Sequence, residues 1–134
     1  MRSTDELGKL VLRVVLGVLI LFHGTSKLIH GPGFVVQALA QAGLPSFLAY
    51  GVYVGEVVAP LLLILGLWAR AGALIVAVNM VVALLLVHTS QFLSLADTGG
   101  WALELQGMYL GGAVAVLLLG AGRFSLGGTH GKWN

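Results

Sequence analysis

Five ionisable side chains lie within or beside long apolar stretches of the sequence, where a charge is costly unless it has a partner or a function. His23 and Lys27 are four residues apart, so a helix would place both of them on one face. Imidazole and carboxylate groups exchange protons with ligands, and an ammonium group donates hydrogen bonds to oxygen atoms. These residue types indicate a site for a small polar headgroup, and the five candidates are His23, Lys27, Glu56, His88 and Glu104.

The composition excludes most soluble functions. Of the 134 residues, 58% are hydrophobic and only 9% are charged, whereas a soluble domain carries roughly 25% charged residues. The net charge is +2 and the lysines and arginines are scattered, so no nucleic-acid partner is expected. There is no cysteine, which excludes disulfides, thiolate metal ligands and dithiol relays. A lipid bilayer is therefore the expected surrounding of this chain.

The hydropathy pattern predicts an all-α fold, an integral membrane four-helix bundle that forms a single domain over residues 1–134. A membrane-crossing helix needs roughly 20 mostly apolar residues. Four windows meet this requirement, at about residues 7–29, 46–68, 71–93 and 101–120. Between the first two, residues 34–42 form a short amphipathic segment bounded by glycine and proline, and we expect it to lie on the membrane surface.

The distribution of basic residues predicts the orientation of the bundle. With four spans, both termini lie on one side of the membrane, together with the hairpin around Arg70. Six basic residues fall on that side and only Lys27 falls on the other; the six are Arg2, Lys9, Arg13, Arg70, Arg123 and Lys132. Because cytoplasmic loops are enriched in lysine and arginine, both termini are predicted to be cytoplasmic.

This orientation places all five candidates in the outer half of the membrane. Glu56 is the deepest of them, about ten residues into the second helix and thus up to roughly 15 Å below the outer surface. Leaving it ionised and alone would cost about 2.5–3.5 kcal/mol, so we expect it to face the bundle interior, paired with His23 or Lys27 or protonated. His23, Glu56 and His88 are predicted to converge in one cavity. Lys27 and Glu104 are placed at its rim.

The alternative is that these side chains only form interhelical hydrogen bonds that hold the bundle together. Asn79 is expected to serve a different contact, because it is nine residues from His88 and so about 180° around the helix. Pro60 removes the donor that would bond to the Glu56 carbonyl, which predicts a kink or a small polar cavity. Arg13 is expected to anchor lipid phosphate. The glycine-containing tail after Gly120 is expected to be loosely ordered.

Several short motifs are similar to those of the DoxX family of small bacterial membrane proteins. The resemblance covers about residues 10–126. It rests on Leu12-Arg13-Val14-Val15-Leu16-Gly17, His23-Gly24-Thr25-Ser26-Lys27-Leu28, Gly43-Leu44-Pro45, Glu56, Leu65-Gly66-Leu67-Trp68-Ala69-Arg70, His88 and Gly120-Ala121-Gly122-Arg123-Phe124-Ser125-Leu126. The order and spacing of these motifs together are more specific than any one of them. The resemblance implies a multi-pass protein of the bacterial cytoplasmic (inner) membrane.

The same resemblance implies a link to redox chemistry. Some relatives are described as subunits of thiosulfate:quinone oxidoreductases, and others as membrane partners of redox enzymes such as superoxide dismutase. Our first hypothesis is therefore a redox-associated subunit that binds a quinone or a similar small lipid in the outer polar cavity, with electrons supplied by a redox partner protein. The alternatives are a non-enzymatic scaffold that recruits a partner, and a transporter of a small molecule or lipid. Whether the chain is an enzyme stays open.

A metal or haem site is a weaker interpretation of the same residues. Two histidines and two glutamates at similar depth could ligate iron or zinc, and His23 with His88 could hold a haem axially. No local ligand motif such as His-x-x-x-His supports either. The sequence thus predicts no metal, leaves the cofactor unknown, and allows a homo-oligomer through a glycine-containing helix face.

Overall fold

The computed structural model describes residues 2–134 and is helical in all of its long elements. We label these elements in chain order. They are α1 (Ser3–His30), α2 (Gly33–Gln41), α3 (Ser46–Leu65), α4 (Ala69–Val87) and α5 (Glu104–Leu119). A short 3₁₀ turn, Thr89–Gln91, follows α4. The helix α2 occupies the segment that the sequence predicted to be amphipathic.

The four long helices form an up-and-down bundle. Helix α1 packs against α3 and α5, and α4 packs against α3 and α5, so each long helix has two neighbours. Small residues such as Ala59, Ala73 and Ala113 are fully buried at the centre, where they let the helix backbones approach closely. Larger side chains, including Ile20, Leu63 and Val116, complete the core. The outer faces are apolar and exposed, as expected of helices in contact with lipid.

Three helices are long and apolar enough to cross a membrane: α1, α3 and α4. Helix α5 is apolar but has only 16 residues, which makes it about 24 Å long against a hydrocarbon core of about 30 Å. The chain thus has three candidate spans and one shorter apolar helix among its described residues.

Helix α3 is irregular around Glu56. It starts as a 3₁₀ helix, Ser46–Tyr50, becomes α-helical at Gly51–Tyr53, and is π-helical over Val54–Val58 before the regular stretch Ala59–Leu65. Because Pro60 cannot donate a hydrogen bond, the preceding turn lacks one regular backbone bond. Such π-helical turns occur often at functional sites, and this one contains Glu56.

The two ends of α4 are formed in different ways. Between α3 and α4, Gly66 and Trp68 have φ angles of 67° and 47°, so a left-handed turn reverses the chain within three residues. Helix α4 ends at Val87, earlier than the residue 93 expected for the third span. His88 is its C-terminal cap, with φ −113° and ψ 10°.

Arg13 is not a lipid anchor, because its side chain is 1% exposed and lies inside the bundle. Its Nη1 donates to the carbonyls of Leu63 at 2.7 Å and Ile64 at 2.8 Å. Its Nε donates to Ala121 O at 3.1 Å, and its Nη2 donates to the Phe124 carbonyl. The last carbonyls of a helix have no partner within it, so Arg13 satisfies the end of α3 and ties it to the tail.

The tail after Gly120 is also more tightly held than expected. Backbone amides of Leu126 and Gly127 donate to Leu65 O and Gly66 O at 3.1 and 2.9 Å. The Arg70 amide donates to Trp133 O at 3.0 Å. The Glu6 carboxylate accepts from the Arg123 amide at 2.7 Å. The tail therefore packs across the end of the bundle at which α1 begins.

Candidate functional site

The centre of the candidate site is an ion pair between α1 and α3. The Lys27 Nζ donates to the Glu56 Oε2 at 2.5 Å, and the two side chains are only 24% and 10% exposed. The Tyr53 hydroxyl donates to the Lys27 carbonyl at 3.2 Å, which links the end of α1 to α3 at a second point. Glu56 is therefore paired inside the bundle, as its depth in an apolar helix requires.

Asn79 belongs to this site, contrary to the expectation that it serves a different contact. Its Nδ2 donates to Glu56 Oε1 at 3.4 Å, so both carboxylate oxygens have partners, from α4 and from α1. The error came from extending helical periodicity to His88. Because α4 ends at Val87, the direction of the His88 side chain does not follow the 100° step of the helix. The sequence signal for this contact is an amide side chain within the apolar helix that follows the one containing Glu56.

Two glycines allow the helices to approach at Glu56. A β-carbon on Gly24 would overlap the Glu56 carbonyl oxygen, so α1 comes into backbone contact with the π-helical turn. A β-carbon on Gly55 would lie 2.5 Å from Asn79 Cγ. Glycine at these two positions thus brings Lys27 from one side and Asn79 from the other within reach of one carboxylate.

A pocket of about 780 Å³ lies beside the ion pair and is lined by residues from all five helices. Its volume is in the range of small-molecule sites. Most of its wall is apolar, including Phe34 and Leu39 of α2 and Val78 and Leu86 of α4. The polar and ionisable lining residues are His23, Lys27, Glu56, Asn79, His88, Gln106 and Tyr109.

The structure brings four of the five candidates to this pocket. His23, Lys27, Glu56 and His88 line it, and Lys27 is the partner of Glu56, one of the two that the sequence suggested. Glu104 is exposed at the start of α5 and is outside the lining in the part of the chain that the structure describes. Its neighbour Gln106 lines the pocket instead.

The two histidines have different surroundings. The His23 ring meets the Tyr109 ring edge to face, with centroids 6.0 Å apart, and Tyr109 is buried at 8% exposure. Tyr109 was not among the residues predicted from sequence, and a tyrosine in an apolar helix is a weak signal because it is also common at membrane interfaces. His88 Nδ1 lies 2.7 Å from the Gln91 side-chain oxygen, in the turn after α4.

This arrangement can hold and orient a polar headgroup. Lys27 and Asn79 carry N–H donors, while His23 and Glu56 can accept or release a proton. The apolar walls suit a hydrocarbon ring or tail. Over residues 2–134 no group of three or more histidine, aspartate or glutamate side chains is close enough to hold a metal ion.

Comparison with known proteins identifies the family. The DoxX family model matches residues 8–89, more than half of the chain. In Bacillus subtilis, "Putative oxidoreductase CatD" is 33% identical over 87 residues, which cover 65% of this chain and 64% of that protein. In Haemophilus influenzae, a protein described only as uncharacterized is 33% identical over 103 residues, covering 74% of this chain and 75% of that one. No solved structure matches.

The matched region contains the residues that carry the site on three of its helices. Residues 8–89 include Lys27, Glu56 and Asn79 together with both histidines of the pocket. They also include most of α1 and all of α3 and α4, the three helices that are long and apolar enough to cross a membrane. The chain therefore belongs to the DoxX family of multi-pass membrane proteins.

Proposed function

We propose that this protein binds the headgroup of a quinone, or of a similar small lipid, and serves as the membrane subunit of a redox system. The observation that carries the proposal is the Lys27–Glu56 pair with Asn79, placed at the side of an apolar pocket of about 780 Å³. A quinone combines a ring with two carbonyl oxygens and an apolar tail. The pocket offers hydrogen-bond donors for the carbonyl oxygens and apolar walls for the tail.

The proposed chemistry assigns a role to each polar side chain. Reduction of a quinone to a quinol takes up two electrons and two protons. In this proposal the two electrons come from a redox partner protein, Lys27 donates a hydrogen bond to one carbonyl oxygen, and His23 passes two protons in turn to the oxygens, taking each from water, while Glu56 holds Lys27. The printed name of the Bacillus subtilis relative, an oxidoreductase, supports a redox role without defining the substrate.

Replacement of Glu56 by glutamine tests the binding site. The change keeps the shape of the side chain but removes the charge that fixes the position of the Lys27 ammonium. We expect Lys27 to stay in the pocket without a fixed orientation toward the quinone oxygen, and the affinity for decylubiquinone to fall at least about tenfold, since a hydrogen bond to a charged group contributes about 1.5–3 kcal/mol. Quinone binding by the purified protein in phosphatidylcholine nanodiscs would be measured by native mass spectrometry.

Asp97→Asn is the matched control for Glu56→Gln. It also converts a carboxylate to an amide, but in an exposed loop outside the pocket lining. It should bind the quinone like the wild type. Unchanged binding in Glu56→Gln, or no binding by the wild type, would leave the side-chain cluster as a structural feature of a scaffold protein.

The orientation is tested by cysteine labelling, which is simple because the chain has no native cysteine. We propose that both termini are cytoplasmic and that α2 lies on the outer side of the bacterial inner membrane. Gly33→Cys adds a side chain in open space and should react with a membrane-impermeant maleimide added to intact spheroplasts. Lys132→Cys should react only after the membrane is opened. The reverse labelling pattern would mean that both termini lie on the outer side of the membrane.

A further inference from the structure

The charges of the pocket are balanced within the protein. Among the residues that line it in the described chain, Lys27 is the only lysine or arginine and Glu56 is the only aspartate or glutamate. The two are paired at 2.5 Å, and Asn79 engages the second carboxylate oxygen. The remaining polar lining residues are histidines, amides and a tyrosine. An arriving ligand therefore meets a closed ion pair and no unpaired carboxylate, lysine or arginine.

We propose that this closed pair makes the pocket selective for an amphiphile with an uncharged, hydrogen-bond-accepting headgroup. An anionic headgroup that reaches Lys27 either displaces Glu56 or shares one ammonium with it, and in both cases one negative charge is left without a counter-ion against apolar walls. A cationic headgroup at Glu56 leaves one positive charge without a counter-ion in the same way. Breaking a largely buried pair by removing one partner is strongly unfavourable, so each charged headgroup meets a penalty that an uncharged one avoids.

Hydrogen-bond donors define the complementary feature of the headgroup. An ammonium group has three N–H donors, and the bond to Glu56 uses one of those of Lys27. The Asn79 amide has two, of which one is directed at Glu56. The free donors point to a ligand with carbonyl or ether oxygens. The ion pair thus acts as a specificity determinant, because it excludes charge while presenting donors.

The inference rests on the proposed function for the location of the ligand, but it does not depend on the ligand being a quinone. Three probes with the same twelve-carbon chain separate the headgroup charge from the tail: methyl dodecanoate, dodecanoate and dodecylammonium. Binding to the full chain in phosphatidylcholine nanodiscs would be measured by native mass spectrometry. We expect the wild type to bind the ester at least about tenfold more tightly than either ion, and Asp97→Asn to behave identically.

Two variants should reverse this preference in opposite directions. In Glu56→Gln, Lys27 has no counter-ion, so dodecanoate should become the preferred probe. In Lys27→Met, Glu56 is left unpaired while the length of the side chain is kept, so dodecylammonium should be preferred. Because each variant is expected to gain affinity for one probe, loss of folding cannot imitate the result. Melting temperatures in the same nanodiscs would be recorded in parallel.

The outcomes separate this inference from the proposed function. Any of three results would overturn the charge selectivity. These are equal binding of the ester and an ion by the wild type, no binding of any probe, and the wild-type ranking in both variants. If the ester ranking holds while decylubiquinone fails to bind, the proposed quinone function is wrong and the selectivity stands. If decylubiquinone binds without any charge ranking, the selectivity is wrong and the function stands.

Discussion

Replacing Arg13 by methionine is expected to cause the largest loss of stability of any single substitution in the bundle. The change would remove the Arg13 donor from the carbonyl groups of Leu63, Ile64, Ala121 and Phe124, of which Leu63 keeps a bond from the Gly66 amide at 3.2 Å. Each buried acceptor left without a donor costs about 1–3 kcal/mol. The tail would also lose its bonds to Arg13 of α1, while the bond from the Arg123 amide to Glu6 would remain. We expect a markedly lower melting temperature and faster proteolysis of the tail in the same detergent.

Arg123→Met is the matched control for Arg13→Met. Arg123 is exposed, and its side-chain guanidinium stacks on the Phe124 ring at 4.7 Å, a contact worth about 0.5–1 kcal/mol at an exposed site. The melting temperature of Arg123→Met should stay close to that of the wild type. Arg13→Lys keeps the charge but loses the planar group of donors and should be intermediate. Equal melting temperatures for the two methionine variants would contradict the role of Arg13 as a link between helices.

Gly24→Ala is the second substitution for which we expect a large effect. The added β-carbon would overlap the Glu56 carbonyl oxygen, which belongs to the backbone and cannot rotate away. Helices α1 and α3 would have to separate, with a cost at or above the upper end of the about 1–3 kcal/mol typical of overpacking. The separation would also pull Lys27 away from Glu56. The melting temperature and the affinity for decylubiquinone should therefore both fall.

Gly8→Ala provides the control on the same helix. Gly8 is exposed, and a β-carbon there would meet no atom within 4 Å. Since glycine lowers helix stability by about 0.5–1 kcal/mol relative to alanine, this variant should be as stable as the wild type or slightly more stable. If Gly24→Ala were equally tolerated, the close contact between α1 and the π-helical turn would not be required.

The all-helical fold could be predicted from sequence because the solvent of a membrane protein restricts the choice of structure. A bilayer leaves backbone groups no partner except those in a helix or a closed barrel, and the apolar windows have the length of helices rather than strands. Glu56 could be selected for a related reason, since an ionised group deep in an apolar helix needs a partner. From sequence, either His23 or Lys27 could be the partner of Glu56, and only the packing of α1 against α3 identified Lys27.

Other features depended on contacts between segments far apart in the chain, and hydropathy contains no information about these. Arg13 has the sequence pattern of an interfacial anchor, but the hairpin at Gly66 and the returning tail enclose it in carbonyl groups. Asn79 reaches Glu56 because Gly55 has no side chain to block it, and because α3 is irregular there. The side-chain direction of His88 was set by the early end of α4. Composition and periodicity thus determined the helices and the need for a partner, whereas tertiary packing decided which partners meet, because close approach depends on the shapes of both surfaces.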